Sequence, residues 1–226
     1  MCGRYVVAGN VHEFSERFQA RQVRFRFEPT WNAAPSQDLP VIVEAEDGAR
    51  EVRVMRWGLR PRWTKPGERS SVAPINARAE TLFEKPMFRP LVRRRRCLVP
   101  ASGFYEWKRE GSRKHPVYFA VRDEPLFAFA GLWDEVGGEA GEESAASYTI
   151  ITTQPNDLVA PLHNRMPAIL RPEHEDVWLG SEDLDPEEVR HLLAPVPAGT
   201  MEARPVGLGV NRPGNNGPEL IAAVGS

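Results

Sequence analysis

The 226-residue sequence holds only two cysteines, Cys2 and Cys97. Two thiols exclude a disulfide framework and cannot by themselves furnish a thiolate zinc site. No apolar run reaches the roughly 18 residues a membrane-spanning helix requires, so no membrane partner is expected. A basic segment followed by an apolar stretch is missing near the start, so no secretory leader is expected either. Internal repeats and long low-complexity tracts are absent as well. These absences point to a soluble, cytoplasmic protein.

Arginine and proline, by contrast, are abundant. Of 29 basic residues 25 are Arg, whose planar fork suits bidentate phosphate contacts. The net charge of −2 hides an asymmetry: residues 50–114 carry 18 Lys/Arg against 6 Asp/Glu, and residues 123–226 carry 5 against 18. Either the basic block forms an anion-binding face, or the two halves neutralise each other across a packed interface. The 21 prolines are spread along the chain, which favours many short elements over long helices.

The apolar periodicity agrees. Val11, Phe14 and Phe18 fall at helical spacing in VHEFSERFQAR, predicting a short amphipathic helix. PVIVEA, EVRVMRWG, RCLVPA, GFYEWK, PVYFAVR, PLFAFAGLW and SYTIITT read as strands between turn residues. ARAETLFEK predicts a short helix, and residues 173–180 and 186–194 predict two more, entered at Pro172 and Pro186. GGEAGEE reads as an exposed hairpin tip or loop. No linker divides the chain, so the expectation is one α+β domain over residues 1–226, with a mainly antiparallel β core and short peripheral helices.

Several polar residues stand in otherwise apolar or rigid settings. Cys2, once freed of Met1, carries an α-amine and a thiol on adjacent carbons, a pair no internal cysteine has. Asn76 and Arg78 in PINARAET project to one face if the segment is extended. In GFYEWK, Phe104, Glu106 and Lys108 share one strand face, and Tyr105 and Trp107 the other. Glu106 is then either a desolvated acid/base with a raised pKa or a surface carboxylate paired with Lys108 or Arg109. His163, beside Arg165 in LHNRMPAIL, is either a proton shuttle or a structural hydrogen-bonding group. WGLRPRW brings two indoles and two arginines into one loop, suited to stacking bases and holding phosphates. The run Arg93, Arg94, Arg95, Arg96 either extends such a footprint or faces solvent, the latter slightly favoured. Cys97 enters an apolar strand and reads as a buried structural residue.

MCGRY, WNAAP, RWGLRPRW, INARAET, GFYEWK, HNRMPAIL and VNRPGNNGPEL occur in the order seen in the SOS response-associated peptidase (SRAP) family, which the chain resembles from residue 2 to about residue 221. The resemblance implies a barrel-like fold and a sensor that recognises abasic sites in single-stranded DNA. Such a sensor shields the lesion in the DNA damage response by a thiazolidine link through Cys2 after Met1 removal. Autocatalytic Met1 removal, a hydrolase-like act, and crosslink reversal would accompany this lyase-like chemistry, and a general aminopeptidase would serve the first equally. The resemblance casts Cys2, Glu106, His163 and Asn76 as the catalytic set. It places Arg78, Arg165, Arg4, Trp63, Pro35 and Thr152 on the DNA. It also lets Gly3 pass the backbone close to the lesion. The chemistry needs neither a cofactor nor a metal, and a monomer is expected. Gly214 replaces an expected basic residue, and Pro155 an expected small one. Two other readings compete: a noncovalent single-stranded DNA-binding module, and a thiol peptidase using Cys2, His163 and Glu106 on other proteins.

Overall fold

The structure is a computed structural model that describes residues 2–22, 27–64, 73–137 and 145–224. Met1 and the part of GGEAGEE beyond Gly137 lie outside the described residues. The first half of the chain supplies β1 (Tyr5–Val7), β2 (Arg21–Gln22), β3 (Thr30–Ala33), β4 (Asp38–Glu44), β5 (Arg50–Trp57) and β6 (Asn76–Arg78). The second half supplies β7 (Arg96–Ala101), β8 (Gly103–Glu110), β9 (Arg113–Val121), β10 (Phe127–Val136) and β11 (Ala145–Thr153). Short strands β12 (Met166–Pro167) and β13 (Ile169–Leu170) and the later β14 (Met201–Pro205) complete the set. The helices are α1 (Val11–Phe18), α2 (Arg89–Arg94), α3 (Pro172–Leu179) and α4 (Pro186–Leu192).

Five of these strands form a ring. β11 pairs with β10, β10 with β7, β7 with β4 and β4 with β5, all antiparallel, and β5 returns to β11 in parallel. A ring with an odd number of strands cannot alternate direction all the way round, so one parallel junction is a geometric necessity. Closing the ring leaves these strands without free edges. A second, fully antiparallel sheet runs β14-β9-β8-β1-β3. The expected mainly antiparallel, barrel-like α+β architecture is therefore present.

The two sheets share one core. Tyr5 of β1 reaches into the ring, where its ring meets Trp57 edge-on at 5.1 Å and Phe129 at 5.8 Å. Its hydroxyl hydrogen-bonds that of Tyr148 at 2.7 Å, so two buried polar atoms satisfy each other. On the outer face of the second sheet, Val6, Tyr105 and Tyr118 form a smaller cluster with Val206 and Val210 of the C-terminal segment. Gly103 is required between the two clusters, because a Cβ there would lie 2.4 Å from the Tyr118 ring.

Local chemistry explains the helices. Asn10 caps α1 by accepting from the amides of His12 and Glu13, while Glu13 accepts from the Asn10 amide, a reciprocal capping box. Phe14 and Phe18 of α1 are fully buried, each contributing about 1.5–3 kcal/mol relative to exposure. Pro186 at the first position and an Asp185–Glu188 capping box start α4. The expected helix at ARAETLFEK shrinks to one 3-10 turn, Ala79–Thr81. Residues ahead of it are held extended in β6 by parallel pairing with β11, so tertiary hydrogen bonding overrides helix propensity.

Two further expectations are corrected. Trp57 of WGLRPRW is no stacking platform: it is fully buried, with its indole N–H donated to the Ile75 carbonyl at 3.0 Å. The four-arginine run does not simply face solvent. Arg96 is 4% exposed and donates to the carbonyls of Trp178, Val92, Arg93, Gly180 and Glu182. It thereby satisfies orphan carbonyls at the C-termini of α2 and α3, where a cation also suits the helix dipole. Arg95 lies over the Trp133 ring at 4.3 Å. Replacing Arg96 by Ala leaves several buried carbonyls unpaired and is expected to cost about 3 kcal/mol or more. A urea midpoint unchanged from the parent protein would refute this structural role.

Candidate active site

The ladder between β1 and β8 carries the start of the chain toward Glu106. Tyr5 sits opposite Phe104, and the Tyr105 amide donates to the Arg4 carbonyl at 3.0 Å, one step further along. Cys2 is fully buried and belongs to the main core. Arg4 shares the outer face with Val6, so the alternation breaks at Gly3, where the chain turns Cys2 inward. Glu106 follows Phe104 inward and is 5% exposed. Burial pushes its carboxyl up to about 7. The Cys2 thiol is pushed well above its ordinary value, first by burial and then by the Glu106 carboxylate.

A cavity of about 420 Å³ opens here, lined by Arg4, Glu106, Trp107, Arg109, Lys114, Leu162, His163 and Asn211. His163 arrives from the loop after β11. Asn156, 8% exposed, braces that loop by accepting from the amides of Leu158 and Val159 and donating to the Val196 carbonyl. The Arg165 amide donates to His163 Nδ1 at 3.0 Å. The Arg165 carbonyl lies 3.2 Å from the same nitrogen, so the backbone of Arg165 holds the ring whichever tautomer it adopts. Burial holds His163 below the ordinary imidazole value, and Arg109 and Arg165 act in the same direction.

Across the site, β6, β11 and β12 lie side by side. Asn76 faces Ile150, and Arg78 faces Thr152, which also faces Pro167. The Asn76 amide donates weakly to the Ile150 carbonyl at 3.4 Å, while its Oδ1 is buried without a partner. Arg165 is 8% exposed; it grips both Glu80 oxygens, at 2.6 and 2.8 Å, and the Thr152 carbonyl at 2.5 Å. A phosphate on Arg165 would have to displace or share with Glu80. Thr152 is 1% exposed with its hydroxyl donated to the Ala77 carbonyl, so it meets the site through its backbone carbonyl rather than its side chain. Arg78 is exposed.

The sequence pattern of the family described as SOS response associated peptidase (SRAP) matches residues 1–213. The chain belongs to the SRAP family. It is 42% identical to the abasic site processing protein YoqW of Bacillus subtilis, over 98% of this chain and 99% of that one. It is 32% identical to the abasic site processing protein HMCES of Xenopus tropicalis, over 88% of this chain and 67% of that one. A crystal structure of a Bacteroides thetaiotaomicron protein superposes with a TM-score of 0.87 at 30% identity, covering 99% of this chain and all of that one.

Among the SRAP motifs, the structure gathers Arg4, Glu106 and His163 around one cavity with Cys2 behind Glu106. Trp63 is 59% exposed on a loop whose neighbours are anchored elsewhere: the Arg60 amide donates to Ser147, and Arg62 bonds Asp134. Ser147 and Thr152 are five residues apart on β11, roughly 17 Å. Pro35 is exposed in the turn before β4. Gly214 stands in open space, so nothing steric keeps a basic side chain from that position. Sequence reasoning missed Asn32 of WNAAP, which receives Arg4 at 2.7 Å and donates to the Arg212 and Asn215 carbonyls. It also missed Asn211, which accepts from the Trp107 indole at 2.7 Å. Both asparagines lie within the quoted motifs, and that was the signal available.

The Glu106 shift has a thermodynamic signature. Between about 4.5 and about 7 the folded protein keeps a proton on Glu106 that the unfolded chain has released. Stability from this residue is therefore present at low pH and falls as pH rises through that window, by on the order of 3 kcal/mol. Glu106→Gln is expected to abolish this component of the slope. Equal slopes in urea titrations of both proteins from pH 4.5 to 7.5 would reject the assignment.

Proposed function

We propose that the protein is a sensor of abasic sites in single-stranded DNA that links itself covalently to the lesion through the α-amine and thiol of Cys2. The observation that carries this reading is the placing of Cys2 against Glu106, at a cavity where His163 and Arg4 also converge. Both similar proteins named above are abasic site processing proteins.

The chemistry fits these residues. Met1 is first removed, freeing the Cys2 amine. The ring-opened sugar offers an aldehyde; the neutral amine adds to it, and loss of water gives an imine. The Cys2 sulfur then attacks the imine carbon, its proton passing to the imine nitrogen, and a five-membered thiazolidine closes. Closure is intramolecular, where effective molarities reach about 10⁵–10⁸ M. Glu106, titrating near neutrality, takes a proton from the ammonium and returns it to the departing hydroxyl. The Nε2–H of His163 donates to the sugar oxygen as the ring opens. Asn76, with its free buried acceptor, orients a sugar hydroxyl without adding charge. Arg78 and Arg165 hold flanking phosphates, and Trp63 and Pro35 meet neighbouring bases. Reversal runs the same steps backward, with Glu106 as the acid/base.

A thiol peptidase acting on other proteins is less well supported. Its nucleophile is a thiolate, whereas burial and the Glu106 carboxylate both keep the Cys2 thiol protonated.

The test is a labelled single-stranded oligonucleotide with one abasic site, resolved on a denaturing gel. The parent protein is expected to give a heat-stable shifted band, and Cys2→Ala none. Cys2→Ser keeps the amine but cannot close the sulfur ring, so its adduct should survive only after borohydride reduction. Glu106→Gln is expected to slow adduct formation roughly 100-fold. An undiminished, heat-stable band from Cys2→Ala would end the proposal.

A further inference from the structure

The cavity beside Glu106 has a cationic wall that the proposed chemistry does not use. Arg109 and Lys114 are direct partners in the antiparallel register of β8 and β9. Side chains at such positions have Cβ atoms about 4.5–5.5 Å apart, and like charges placed there repel. The surrounding carboxylates do not relieve them. Glu110 is engaged by Lys108 at 2.7 Å and His115 at 3.8 Å, and Glu106, which lines the same cavity, is pushed toward its neutral form by burial. Among the described residues neither Arg109 nor Lys114 forms an ion pair, whereas Arg50, Arg53, Arg56, Arg62, Arg94 and Arg95 of the central basic block do. Both line the cavity together with Arg4, Trp107 and Asn211.

An uncompensated cation pair costs stability when empty and is relieved when an anion lies between its members. The wall is also built. Trp107 is held by Asn211, and Arg4 by Asn32 and the Val210 carbonyl at 2.8 Å, so the C-terminal segment fixes its floor. We propose that Arg109 and Lys114, with Arg4, form a docking site for one phosphodiester of a DNA strand entering the cavity along the β8–β9 hairpin. The site rests on the reading of the cavity as the place where the lesion binds. It adds a phosphate contact to those proposed for Arg78 and Arg165.

The experiment measures binding of an intact 20-nucleotide oligothymidylate by fluorescence anisotropy across a salt series, so no crosslink can form. Arg109→Gln/Lys114→Gln is expected to weaken binding about tenfold at 0.1 M salt. It should lower the slope of log affinity against log salt by about 0.7, the loss of one neutralised phosphate charge. Arg109→Glu supplies the readout that a purely structural role would not move. It pairs with Lys114, so its melting temperature should hold or rise by a few degrees while its affinity falls at least as far. Unchanged affinity and slope in the double variant would overturn the site, as would a melting temperature that falls in step with binding in Arg109→Glu. The parent reading is scored separately on the abasic strand. A missing crosslink with the slope change intact removes the Cys2 chemistry and leaves this site standing. A normal crosslink with an unchanged slope removes this site alone.

Discussion

The pairing of Tyr5 with Phe104 holds the start of the chain against β8 and decides what Cys2 can do. A slip of one residue in that ladder would send Tyr5 out of the barrel and carry the residues before it out of step with Glu106. Several contacts forbid the slip. Tyr5 is locked inside by Trp57, Phe129 and the hydroxyl of Tyr148. On the opposite face Val6 packs with Tyr105 and Tyr118, and Gly103 leaves only enough room for the Tyr118 ring. A chain end, ordinarily the least ordered part of a domain, is thus held by large aromatic side chains on both faces of the sheet. The site's chemistry depends on that rigidity, since a reacting group a single ångström out of place can lose two orders of magnitude in rate.

Charge is distributed by the same economy of position. The basic and acidic halves of the sequence meet in specific pairs: Arg50 with Asp176, Arg62 with Asp134, Arg94 with Asp183, Arg95 with Glu135. Much of the basic block is therefore neutralised internally, and Arg96 serves as a many-handed donor to helix ends. What is left over is local. Arg4, Arg109 and Lys114 border one cavity, where Arg109 and Lys114 form no ion pair among the described residues.

The site combines a desolvated carboxyl with an imidazole kept neutral. Glu106 is raised toward neutrality by burial, and His163 is lowered by burial and nearby guanidinium groups. Glu106 can therefore take up or release a proton near neutrality, while His163 stays a neutral imidazole there.

The residue pattern by itself determined the β-rich character of the chain and α1, α3 and α4, because these rest on short-range periodicity, caps and proline placement. The alternation in GFYEWK already sent Glu106 to the face of Phe104, and the motifs of the SRAP family marked Cys2, Asn76, His163 and Arg165. Where an interaction spans long sequence separations, only the tertiary structure decided. The ring closes through β5 and β11, some 90 residues apart, and pairing with β11 turns the expected helix at residues 77–85 into the end of β6 and a single turn. Burial of Trp57 and Arg96 follows from which elements cover them, and a sequence reads an indole or a guanidinium identically in either setting. Asn32 and Asn211 likewise acquire meaning only once Asn32 meets Arg4 and the Arg212 carbonyl, 180 residues on, and Asn211 meets Trp107, 104 residues back. Local spacing encodes the elements and the reactive residue types; three-dimensional proximity sets desolvation and charge, and those give the residues their chemistry.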